Sequence, residues 1–398
     1  MNTVHDPSRH VHYLQQCLSQ DKQNIGFFLA AGCPVSIRVT AGTTTEPLIP
    51  DVEGLTDHVS AQMRTTHLNT AFEKVENHLQ SDGHARINIE TQLSFIRGLK
   101  AIAGTGMVRD LSVDDLNSLE DEMCRLVSER VDRLLPEAES PYTQLAAWIA
   151  STNRSAPVEV FTTNYDLLTE QALERFRIPY FDGFSGSKEA FLDTHSIDHD
   201  ELPSRWARLW KLHGSINWSM NGAKQVCRVT ACTGKCIIQP SHLKYDESRR
   251  MPYLAMIDRL QAFVRKSSSV LIVCGYSFRD EHLNACLLEG LTGSPRSAVF
   301  GLLYGNLADY PEATRLASTA GNLSLLARDG ALIGTRRGDW DNRELGDAAT
   351  LSGAVELIPD PTDGTTQVTL FRLGDFGYLG RFLATLIGND MGGSTHGI

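Results

Sequence analysis

Residues 158–166 read VEVFTTNYD: a short run of β-branched and aromatic side chains that stops at Thr162, Thr163, Asn164 and Asp166. An apolar run of that length, closed by polar residues, is the pattern of a strand buried on both faces and emptying into a loop at its carboxyl end. The same grammar recurs in IGFFLAAGC (25–33), RLWKLHGS (208–215), SSVLIVCGYS (268–277) and SAVFGLLYGN (297–306). Helix-like stretches separate these segments, and that alternation predicts an α/β fold with a mostly parallel sheet.

The longest gap in the pattern, from about residue 40 to 156, has a different texture. In LSVDDLNSLEDEMCRLVSERVDRLLPE (111–137), Ser112 and Asp115 have capping-box spacing, and Val113, Leu116, Leu119, Met123, Leu126 and Val127 recur at helical spacing up to Pro136. This predicts a helical subdomain inserted into a domain spanning residues 1–320, its apolar stripe buried against the parent sheet. Beyond that domain, NLSLLARDG (322–330), QVTLFRL (367–373) and FGYLGRFLATLIG (376–388) predict a small α+β C-terminal appendage over 321–398. Phe376, Leu379, Phe382 and Leu383 fall on one side of the last helix, a surface suited to packing on the body or to assembly.

The sequence has 398 residues, with 41% hydrophobic and 21% charged, which is ordinary globular composition. Acidic residues outnumber basic ones 48 to 37, a net charge of −11, which excludes a surface that grips phosphate backbones throughout. Nucleic-acid contact is therefore expected only indirectly, through a partner. No apolar run approaches the roughly 18 residues of a membrane span, and MNTVHDPSRHVHYLQQ lacks the order of a signal peptide, so a cytoplasmic protein without membrane contact is expected. The eight cysteines are too dilute for a disulfide scaffold and are expected as free thiols.

Chemistry is sought at the strand ends, where parallel sheets bind ligands and where loop amides meet anions. Thr162, Thr163 and Asn164 end one strand, with Thr163 and Asp166 at capping distance; Gly275, Tyr276 and Ser277 end another, with Ser277 and Asp280 spaced alike; Gly32 permits close backbone approach at a third. Dinucleotide and P-loop fingerprints are absent: Thr233-Gly234-Lys235-Cys236 lacks both the leading glycine and the hydroxyl residue.

The ordered set Ala31-Gly32-Cys33, Thr162-Thr163-Asn164-Tyr165-Asp166, His213-Gly214-Ser215 and Gly275-Tyr276-Ser277 resembles the sirtuin superfamily. More narrowly, with WKLHGSINW (210–218) and NLSLLARDGALIG (322–334), it is similar to the sirtuin-like subunit of bacterial anti-phage systems paired with a HerA-type ATPase. The resemblance implies NAD+ as substrate, with Ala31, Gly32, Cys33, Thr162, Thr163, Gly214, Ser215, Gly275, Tyr276 and Ser277 around the dinucleotide. It also implies a homo-oligomer docked on a hexameric HerA-type ATPase, with NAD+ depletion as the output. The sequence departs from the superfamily pattern at three points: Ala30 replaces the first glycine of the loop, Ile49-Pro50-Asp51 lies further from Gly32, and Cys227, Cys232 and Cys236 replace two zinc-binding Cys-x-x-Cys pairs. Zinc needs four ligands; His242 is the candidate fourth, and no metal is expected.

Cleaving the nicotinamide–ribose bond releases a neutral leaving group and develops oxocarbenium character on the sugar. Asn164 offers an uncharged carbonyl acceptor to orient water or face the cation, and His213 titrates near neutrality and is suited to accept a proton. Asp166 either contacts the carboxamide or caps its helix. The leading expectation is an NAD+ glycohydrolase; protein deacylation and non-catalytic sensing of NAD+ or ADP-ribose are the alternatives.

Overall fold

The computed structural model describes residues 3–84, 86–223, 225–230, 237–238, 252–342, 353–360, 364 and 366–387. Cys232, Cys236 and His242, and with them most of the candidate zinc set, lie outside the described residues, as does the Thr233–Lys235 tract.

Ten strands form the main sheet: β1 (Thr3–His5), β2 (Asn24–Leu29), β3 (Glu159–Thr162), β4 (Tyr180–Phe181), β5 (Ala207–Lys211), β6 (Ser269–Cys274), β7 (Ala298–Leu302), β8 (Leu323–Leu326), β9 (Gly330–Ile333) and β10 (Arg336–Trp340). Their spatial order is β1-β10-β9-β8-β7-β6-β2-β3-β5-β4. All neighbours run parallel except β8–β9 and β9–β10. The fold is thus α/β with a mostly parallel, Rossmann-type sheet, as the alternation of apolar runs implies. The sheet continues past residue 320: β8 pairs with β7 in parallel register, Val299 opposite Leu323. Strands 323–340, expected in a separate appendage, are instead part of the main layer, because their apolar side chains complete its two faces.

Both faces are covered. Along β2, Phe27 joins one apolar core and Phe28 the other. Five helices between β2 and β3 build the first core: Val52–Met63, Asn69–Ser81, Ile89–Ala103, Val113–Val131 and Pro141–Ser151. The Ser112–Asp115 capping box forms as expected, but its helix stops at Val131, five residues short of Pro136. Helices Tyr253–Arg265 and Glu281–Gly293 cover the other face.

The apolar side of the last helix, Phe376–Thr385, is used within the chain. Phe376 meets Tyr142 edge-on at 5.0 Å between ring centres, and a Cβ at Gly380 would fall 2.7 Å from the Cα of Pro141. No described helix is long and apolar enough to cross a membrane.

Strand order reverses at β2: the chain moves outward through β3 and β5 on one side, then returns to β6 and moves outward through β7 on the other. Loops leaving the carboxyl ends of β2 and β6 diverge there, and a crevice at such a point is where open α/β sheets take ligands.

Candidate functional site

At that reversal the loops of β2 and β6 touch. The amide of Gly32 donates to the carbonyl of Gly275 over 3.0 Å. A Cβ on Gly32 would lie 2.8 Å from the Cα of Gly275, and one on Gly275, whose φ is +70°, would lie 2.7 Å from the nitrogen of Cys33. Both glycines are required by contact between the two loops. Beside this contact opens a cavity of about 1140 Å³, at the upper end of the range for ligand sites and roomy enough for a dinucleotide.

Ala31, Thr163, Asn164, Asp166, His213, Gly275, Tyr276 and Ser277 all line it. Five residues of the expected set do not. Gly32 packs on Gly275; Cys33 is fully buried, its thiol donating to the carbonyl of Cys274; the Thr162 hydroxyl accepts from the amide of Asn164. Gly214, with φ +93°, and the fully buried Ser215 shape the turn after β5. These residues hold the wall from behind. Ile49, Pro50 and Asp51 line the cavity too; Asp51 caps helix Val52–Met63 by accepting from Gly54 at 2.9 Å.

The two expected catalytic side chains share this cavity. Asn164 donates from Nδ2 to the carbonyl of Ala30 at 3.3 Å, which fixes the plane of its carboxamide. Nε2 of His213 donates to Asp280 Oδ2 at 3.1 Å, leaving Nδ1 as the ring's other nitrogen. Burial works to lower the imidazole's pKa, but the hydrogen bond and charge of Asp280, helped by Glu90, outweigh it and the pKa rises. Burial likewise works to raise Asp280, yet His213 and the amides of Leu283 and His282 hold its carboxyl below the usual range. The pair is therefore a charge-assisted hydrogen bond poised to stabilise imidazolium.

Asp280 is the residue the sequence reading placed wrongly. It is not the far end of a Ser277 cap but the N-cap of helix Glu281–Gly293 itself, accepting from His282 and Leu283 through Oδ1 while Oδ2 serves His213. Sixty-seven residues separate it from His213, and no local pattern announces a contact of that span. Thr163 does not cap its helix either. Asp166 accepts from the amide of Leu168 at 3.0 Å and is nearly fully buried, its pKa raised by burial against the partly offsetting charge of Lys211.

Lys211, 1% exposed, ends β5 beneath the floor of the site. Its ammonium donates to the carbonyl of Asp166 and to Glu170 Oε1 at 3.0 Å, so a buried ion pair clamps the Asn164–Asp166 loop. The turn after β6 is strained: Phe278 is fully buried with φ +56°, held by Asn284 Nδ2 donating to its carbonyl at 2.8 Å. Arg86 and Arg279 bring positive charge to the rim, with Glu281 and Glu312 opposing them.

A larger cavity, about 1930 Å³, lies beyond Arg97 and includes Cys227, Phe191 and Met220. It contains neither Asn164 nor His213. Among the described residues no cluster of three or more His, Cys, Asp and Glu is arranged for a metal.

No curated protein sequence matches the chain. Among solved structures, a Sir2 homologue–NAD complex aligns with 12% identity over 77% of this chain and 89% of that one, at a TM-score of 0.36. A structure described in terms of the mechanism and regulation of Sir2 enzymes aligns with 12% identity over 76% and 88%, at 0.34. At the level of sequence families, residues 158–321, the stretch that holds Asn164, His213 and Asp280, match the SIR2-like domain.

Proposed function

We propose that the chain is an NAD+ glycohydrolase that releases nicotinamide and ADP-ribose. The observation that carries this reading is that a fixed carboxamide, Asn164, and a carboxylate-paired imidazole, His213, line one dinucleotide-sized cavity at the reversal of strand order. The SIR2-like match supports NAD+ as the substrate class.

In this mechanism the glycosidic C1′–N bond breaks with its electron pair passing to nicotinamide, which departs neutral. Asn164 Oδ1 faces the developing cation or the attacking water, held there by the bond from Nδ2 to Ala30. As the water oxygen bonds to C1′, its proton passes to Nδ1 of His213, and Asp280 stabilises the imidazolium so formed. Ala31, Thr163 and the 275–277 turn border the dinucleotide, and Arg279 at the rim meets its phosphates. The motif order shared with anti-phage sirtuin-like subunits supports a role in defence by NAD+ depletion. It also supports a cytoplasmic homo-oligomer with a HerA-type ATPase as partner, and a helical insertion within a catalytic unit.

Incubating the purified chain with NAD+, alone and with a HerA-type partner, and measuring nicotinamide and ADP-ribose tests the reading. Release is expected, and Asn164→Ala is expected to lower it by about 100-fold or more. No release in either state, equal release from the variant, or product only with an acyl-lysine peptide would overturn it.

A further inference from the structure

One wall of the cavity comes from the helical stretch between β2 and β3, far from the strand ends. Helix Ile89–Ala103 turns Glu90, Ser94 and Arg97 toward it, three residues on one helical face. Its first turn is fixed by a capping box between Asn88 and Thr91, so the position of Glu90 is set by the helix end.

Glu90 is linked to the site through Tyr165. Its Oε1 accepts from the Tyr165 hydroxyl at 3.4 Å, next in the chain to Asn164, and its charge acts on His213. One turn on, Ser94 is 9% exposed, and its hydroxyl has no hydrogen-bond partner among the described residues. Helical serines commonly bond back to the carbonyl four residues earlier; this one does not, and a buried hydroxyl left without a partner is a group that a ligand would satisfy. On the same helix Arg97 donates to Glu120 Oε1 at 2.6 Å, and Lys100 is bound to Glu120 as well. A carboxylate beside an unsatisfied hydroxyl repels phosphate and suits a polyol that carries positive charge.

We propose that Glu90 and Ser94 grip the hydroxyls of the sugar bearing the scissile bond, and that Glu90 is a catalytic residue facing the cation at its anomeric carbon. This rests on the glycohydrolase reading. Glu90 forms no covalent bond: the C1′–N pair leaves with nicotinamide and water supplies the new C1′–O bond, its proton going to His213. Hydrogen bonds from sugar hydroxyls to a carboxylate strengthen as the ring becomes cationic, so the effect falls on turnover more than on substrate binding.

The test uses the full chain, in whichever assembly releases nicotinamide, with Glu90→Gln, Glu90→Asp and Ser94→Ala, reading kcat and KM for NAD+ and, by calorimetry, the Kd for ADP-ribose. Glu90→Gln is expected to lower kcat about 100-fold, with KM for NAD+ and Kd for ADP-ribose each raised about threefold. Ser94→Ala is expected to weaken ADP-ribose by about fivefold, with Glu90→Asp intermediate in kcat. If Glu90→Gln turns over within about twofold of the parent while Asn164→Ala is inactive, this inference falls and the glycohydrolase reading stands. If the parent releases no nicotinamide, that reading falls and ADP-ribose decides the rest: weaker binding by Glu90→Gln supports the sugar grip, whereas equal binding, or none by any form, overturns it.

Discussion

His213 and Asp280 show how much one pairing changes a residue's task. A histidine at a strand end, taken alone, is as well explained by structure as by catalysis; with Nε2 bound to a carboxylate and its pKa raised, it is set up to take a proton and hold it. Asp280→Asn separates the two jobs of that aspartate, because asparagine caps a helix about as well but brings no charge. Burial then dominates His213, its pKa falls, and the acidic limb of the kcat–pH profile is expected to move to lower pH, with a lower plateau. The same variant tests stability. With its folded pKa above the unfolded value near 6.5, His213 contributes stability that is whole below that pH and lost as pH rises through the folded pKa, so the denaturant midpoints of parent and variant should differ most on the acid side and converge above it. Lys211 was visible only as a letter in RLWKLHGS. Beneath the site it balances Glu170, 6% exposed, and Lys211→Met leaves that carboxylate buried without its cation, a loss of about 3–5 kcal/mol measurable by urea unfolding. That Asn164 and His213 line one cavity is legible because strand-end polarity is a local signal; the places of Asp280 and Glu90 beside them are not, because they are set by tertiary contact.

Elements were read well where periodicity was strong. The five apolar runs of the sequence correspond to β2, β3, β5, β6 and β7, and the capping box at Ser112 opens its helix as expected. Turn chemistry was read less well. Thr163 and Ser277 have capping spacing yet cap nothing, since Asp166 and Asp280 reach the helix amides first. The contact of the β2 and β6 loops also has no sequence signature beyond two glycines. Gly275→Ala meets both a left-handed backbone and the nitrogen of Cys33 at 2.7 Å, and is expected to cost about 2 kcal/mol or more and to weaken ADP-ribose binding, as thermal melts and calorimetry would show. Gly42, with φ +64° and open space around it, offers the control: alanine there strains the turn without touching the cavity.

At the scale of the molecule, the ten-stranded sheet joins chain segments from residue 3 to residue 340, and the last helix closes back on the helices that precede β3. Expecting a separate unit from residue 321 missed this because antiparallel β8, β9 and β10 look, in sequence, like a small independent hairpin. Phe376→Ala, at a site 1% exposed, is expected to cost about 3–5 kcal/mol and to loosen Tyr142, whose ring it meets and which is buried beside Asn164 and Asp166. Nicotinamide release should then decline at temperatures where far-ultraviolet circular dichroism still reports an intact fold. One wall of the cavity is lent by helix Ile89–Ala103, whose Ile89, Leu93, Ile96 and Leu99 sit in the core, while the floor belongs to the sheet. Cavity-facing and core-facing positions therefore interleave along one helix, and a library confined to Glu90, Ser94 and Arg97 would vary the cavity wall while leaving the core positions unchanged.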